Sequence, residues 1–77
     1  MVVPQTLERG FYRHFKGGLY EVLDTVIDSE TLRTMVLYRP VASSYLWVRD
    51  FEMFTSLVDR DGKVQKRFVF IGSALEG

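Results

Sequence analysis

The chain has 77 residues, ten basic and ten acidic, with no cysteine and a single histidine, His14. Hydrophobic residues make up 47% of it and aromatic residues 14%, enough for one core, and the length leaves no room for a second. A disulfide framework, a thiolate nucleophile, a cysteine-held zinc and a multi-histidine metal site are excluded within one chain, and zero formal charge argues against duplex DNA as a partner.

Residues 1–9 contain Pro4 and little pattern, so a flexible N-terminal segment is expected there. From residue 10 to 71 the apolar period is nearer two than 3.6, and turn signals recur every eight to twelve residues, as in a single small β domain. The first strand is predicted over Phe11 to Phe15, closed by Gly17-Gly18. Leu19 to Ile27 is the second, with Tyr20, Val22 and Val26 on one face and a bulge near Asp24-Thr25 that would turn the Asp24 carboxylate outward. Asp28 to Thr31 reads as a turn, and Thr34 to Arg39 as a strand stopped by Pro40. In that strand Val36 and Tyr38 share one face, opposite Met35 and Leu37. After the Val41 to Ser44 loop, Leu46 to Arg49 is a short strand projecting Trp47 and Arg49 to one side. Asp50 then suits the N-cap of a helical turn, Phe51 to Thr55. Ser56 to Arg60 and Lys63 to Ile71 flank Asp61-Gly62, a strong hairpin signal, and a flexible tail is expected over residues 72–77. The expectation is a mainly β domain, a small SH3-like, partly open antiparallel barrel of about five strands with one short helical turn.

The longest apolar runs are four residues, as in Met35 to Tyr38 and Phe68 to Ile71, too short for a membrane helix. Residues 1–5 lack a signal-peptide pattern, so a cytoplasmic location is expected. Charges cluster: Glu21, Asp24, Asp28 and Glu30 against Arg60, Lys63, Lys66 and Arg67, an arrangement that suits the solvent faces of neighbouring strands.

Catalytic signatures are missing. No serine stands in a Gly-x-Ser-x-Gly elbow, and Gly17-Gly18 lacks the Lys-Ser/Thr pair and helix of a phosphate loop. No cofactor or metal is implied. His14, within Tyr12-Arg13-His14-Phe15-Lys16-Gly17, reads either as a proton-handling or ligand-donating residue or as a packed strand histidine. Glu30 reads either as its orienting carboxylate or as a solvated turn residue. Aromatic residues beside arginines, as in Tyr12-Arg13, Tyr38-Arg39, Tyr45 and Trp47-Val48-Arg49, offer stacking faces and forked donors, though the same rings also suit core or edge packing.

Several segments together resemble a bacterial family, the domain of unknown function 1653. They are Gly10 to Gly17, Tyr20-Glu21-Val22, Ser29-Glu30-Thr31, Val36-Leu37-Tyr38, Leu46 to Arg49 with Met53-Phe54, Asp61-Gly62 and Arg67-Phe68. They run in order over about residues 10 to 71. The resemblance implies a small bacterial domain with no established activity, and it singles out His14, Lys16, Glu30, Tyr38, Trp47, Arg49 and Arg67 as ligand-binding positions. Asp50 stands where the family pattern commonly has proline, and either residue can begin a helical turn.

The leading functional expectation is a binding module that presents these residues around a shallow groove for a peptide, a nucleotide or single-stranded nucleic acid. Two alternatives are a small enzyme using His14 and Glu30 for proton transfer, and a structural or oligomerising domain using its edge strands.

Overall fold

Tight reversals organise the chain. In the computed structural model, which describes residue 3 and residues 5–74, the hairpin turn at residues 15–18 joins β1 (Gly10–His14) to β2 (Leu19–Ile27). The turn at residues 28–33 joins β2 to β3 (Thr34–Pro40). There the Asp28 side chain accepts hydrogen bonds from the backbone N–H groups of Glu30 and Thr31, at 2.9 and 3.2 Å. Such Asx bonding is what Asp offers a turn. After β4 (Trp47–Asp50) comes the single-turn helix α1 (Phe51–Phe54), then β5 (Leu57–Arg60), β6 (Lys63–Lys66) and β7 (Phe68–Gly72).

Five strands form one antiparallel sheet in the order β4-β3-β2-β1-β7, and β5 and β6 form a separate two-stranded sheet. The domain is therefore mainly β, with seven strands among the described residues rather than about five. The stretch Lys63 to Ile71 divides at Arg67, whose N–H donates to the Ser56 carbonyl (3.0 Å) while its own carbonyl accepts from Phe15 N–H (2.9 Å). One residue thus ends pairing in one sheet and starts it in the other. The larger sheet does not close on itself: β4 and β7 are its two edges.

Residue chemistry explains the local geometry. Asp61 and Gly62 both adopt positive φ (55° and 79°), as a two-residue hairpin turn matching the twist of its strands requires. The bulge in β2 falls between Val22 and Asp24, one residue earlier than the expected position. It puts Asp24 opposite Leu37 and Thr25 opposite Val36, so the carboxylate leaves the core face, and Val26 leaves with it, opposite Met35. Asp50 caps α1 by accepting from Glu52 N–H. Gly10 is fixed by close approach, since a Cβ there would stand 2.6 Å from the Gly72 carbonyl oxygen.

The core lies between the sheet and α1. Tyr12, Val22, Val36, Tyr38, Phe54 and Phe68 are buried, with Leu7, Tyr20 and Phe51 packed against them. Phe54, from the helix, stacks on Phe68 with ring centroids 4.0 Å apart and planes within 4°. Tyr12 and Tyr38 meet Phe54 edge-on, an arrangement aromatic quadrupoles favour. In the segment expected to be loose, Gln5 N–H donates to Thr34 Oγ1 and the Glu8 carbonyl accepts from the buried Tyr12 hydroxyl (2.7 Å). Of the residues expected to be flexible, 1, 2, 4 and 75–77 lie outside the described residues.

Candidate functional site

Antiparallel register decides which side chains share a face, because directly opposed residues point the same way. Tyr38 opposes Trp47, Val36 opposes Arg49, Tyr12 opposes Tyr20, and His14 opposes Phe68. The β1, β2, β3, β4 and β7 strands thereby deliver His14, Tyr20, Tyr38, Trp47, Arg49 and Phe68 to the core face, towards its edge. Trp47 meets Tyr38 at 5.9 Å and Tyr20 at 6.1 Å between ring centroids. The His14 ring lies 4.9 Å from that of Phe68 and 6.1 Å from that of Tyr20. Tyr38 and Phe68 are buried and His14 and Tyr20 half-buried, whereas Trp47 is 45% exposed. The result is a rigid aromatic floor with one open ring.

Cations border this floor. Arg49 Nε donates to the Tyr38 hydroxyl (3.2 Å), and its guanidinium lies 5.8 Å from the centre of the Phe68 ring. Arg67 Nε donates to Ser56 Oγ (3.1 Å), and that hydroxyl donates to the Met53 carbonyl (2.7 Å), so the end of α1 holds the arginine. Lys16 extends from the β1–β2 turn, its ammonium 5.7 Å from the centre of the Phe15 ring. Among the described residues, none of these three cations has a carboxylate within ion-pair distance.

His14 registers that charge. Its pKa is lowered, first by burial and then by Arg49, Arg67 and Lys16. Its Nδ1 accepts from the Lys16 backbone N–H (3.2 Å), which makes Nε2 the protonated nitrogen of the neutral ring. The side-chain groups assembled here are therefore mostly hydrogen-bond donors. Among the described residues no three histidine or acidic side chains gather as a metal site would need.

Of the residues singled out in the sequence, His14, Lys16, Tyr38, Trp47, Arg49 and Arg67 come together. Glu30 does not. It sits in the turn after β2, whereas His14 precedes β2, and the nine-residue strand separates its ends by roughly 26 Å. A His14–Glu30 proton-transfer pair, which needs hydrogen-bond reach or one bridging water, is not formed. Two further members, Tyr20 and Phe68, escape the sequence reading. Tyr20 would have emerged from setting Tyr12 opposite it across the Gly17-Gly18 turn. Phe68 gives no such signal, because Phe68 to Ile71 is apolar on both faces.

The model of a protein family described as a protein of unknown function, DUF1653, matches residues 10–70. The crystal structure of a DUF1653 protein from Bordetella bronchiseptica superposes with a TM-score of 0.81 at 26% sequence identity, covering 92% of this chain and 95% of that one. No functionally curated protein matches the chain.

Proposed function

The chain belongs to the DUF1653 family, and from its own geometry we propose that it is a small binding module of SH3-like, partly open architecture. Its site is the aromatic face edged by Arg49, Arg67 and Lys16. The ligand carries negative charge beside a flat group, as do a short acidic peptide with an aromatic residue, a nucleotide and single-stranded nucleic acid. One observation carries this reading: three cations without carboxylate partners among the described residues act on His14, in an aromatic cluster whose exposed ring is Trp47. Arginine forks and aromatic rings together suit anionic ligands with π faces.

Titration followed by Trp47 fluorescence and by amide spectra tests it. Short oligonucleotides or acidic peptides are expected to perturb Trp47, His14 and the Arg49 region together. An unchanged spectrum with both libraries would remove the basis for the proposal.

A second reading, self-association, is favoured by the apolar residues exposed on the two edge strands, among them Val48, Val69 and Ile71. Sedimentation velocity distinguishes the two, since a monomer at high concentration leaves no role for those edges in assembly.

A further inference from the structure

The lining of this face restricts the ligand more narrowly than its aromatic character does. Among the described residues Arg49 and Arg67 each bond only through Nε, to a neutral hydroxyl, so the ends of both guanidinium forks have no partner there. His14 keeps Nε2–H as a donor, and Lys16 adds an ammonium. The ligand must therefore accept hydrogen bonds and bring charge. Arg49, Arg67 and Lys16 bring three positive charges with no carboxylate at ion-pair distance among the described residues, and the Arg60 guanidinium shares the Phe15 ring with Lys16. A carboxylate or an internal phosphodiester brings one negative charge, whereas a terminal phosphate monoester brings nearly two and three acceptor oxygens. Of the five rings in the cluster only that of Trp47 is exposed, and it offers the face on which a base can lie.

We infer that this face takes the terminal phosphate of a single nucleotide unit, free or at the end of a strand, with its base laid on Trp47. The phosphate oxygens meet the free ends of Arg49 and Arg67, with His14 Nε2–H and the Lys16 ammonium completing the donor set. This inference rests on the binding-module reading and assigns its ligand class.

Isothermal titration of the whole chain with six probes tests it: adenosine monophosphate, adenosine, inorganic phosphate, a tetranucleotide with a 5′-phosphate, the same tetranucleotide without it, and an acidic peptide containing tyrosine. The expected result is that adenosine monophosphate binds roughly tenfold or more tightly than adenosine or phosphate alone, and that Trp47→Ala removes the advantage contributed by the base. Arg49→Gln should weaken the monophosphate and leave adenosine unchanged, and it keeps a side chain of similar reach so that folding is retained. Tighter binding of the phosphorylated tetranucleotide than of the monophosphate identifies a strand end as the source, and the reverse order identifies a free nucleotide. Equal binding of adenosine and its monophosphate would overturn the inference. Binding of the acidic peptide without the nucleotide would overturn it too, while leaving the binding-module reading intact. If no probe binds, both fall.

Discussion

The two ends of the five-stranded sheet handle their charges in opposite ways. At the end formed by the β2–β3 turn and the start of α1, Arg33 Nε donates to Asp50 Oδ2 at 2.6 Å, and its guanidinium reaches Glu52 at 3.7 Å. On the outer face, Arg39 pairs with Glu21 at 2.7 Å, and Arg9 with Asp24 at 3.3 Å. At the other end Arg49, Arg67 and Lys16 surround aromatic rings, and no carboxylate answers them among the described residues. A chain with equal numbers of acids and bases can still concentrate one sign where it is available to a ligand. The paired end organises structure: the hydrogen bond from Arg33 holds the Asp50 carboxyl below its ordinary range, and the same carboxylate caps α1. The unpaired end holds charge in reserve.

Both ends depend on the core between them, so the change that erases the contrast entirely is in that core. Phe54→Ala removes the helix ring stacked on Phe68 and is expected to cost about 3–5 kcal/mol. For a domain this small that loss approaches the whole folding free energy, and urea melts followed by far-UV circular dichroism would register it. Arg49→Glu attacks the contrast without the core. It places a carboxylate among the unpaired cations and should abolish binding of anionic ligands in the titrations above, with the fold retained by circular dichroism. Trp47→Ala removes two edge contacts on a half-open ring and should lower stability by about 1 kcal/mol, measured by the same urea melts.

Arg33→Ala probes the paired end by itself. A small fall in Tm is expected by scanning calorimetry, and ligand affinity should change little, because the Arg33 side chain meets Asp50 and Glu52 and none of the site's side chains. A matching loss of affinity would show that the two ends are coupled.

The smallest effect concerns His14. Its pKa is lowered in the folded chain, so as pH falls below the ordinary value near 6.5 the unfolded chain takes up a proton before the folded one does. Stability should therefore be insensitive to this residue above that value and decline below it, until the folded group also protonates. Arg49, Arg67 and Lys16 face the ring as charged groups, with Phe15, Tyr20 and Phe68 packed beside it. His14→Gln should remove this part of the acid sensitivity in urea melts repeated across the pH range.

How much of this was legible in the sequence depends on whether the signal is local. Asp61-Gly62, the Asp50 cap and the shared face of Trp47 and Arg49 each follow from two or three neighbouring residues, and each stands where expected. The β2 bulge was legible as a conflict, a carboxylate on an apolar face, but it falls one residue earlier and carries Val26 to the outer face with Asp24. The division at Arg67 was not legible, because it depends on Ser56 and Phe15, which are distant in sequence and supply the partners for its backbone. Glu30 failed for a related reason. Its acidic turn and the histidine segment are near neighbours along the chain, but a strand of nine residues keeps its two ends apart. Strand number and sheet order are global properties, which is why an expectation of about five strands met a sheet of five plus a separate pair.

The pairing of β1 with β7 has a consequence for how the protein comes into being. The first strand in the sequence is covered on one side by the last, across more than fifty intervening residues. Contacts of such long sequence separation form late and slowly, because the loop they close costs entropy before the pairing repays it. Phe68 and Arg67 belong to that final stretch, so during synthesis the proposed ligand face stays incomplete until residues 67 and 68 have left the ribosome. The strand that completes the sheet also completes the aromatic face.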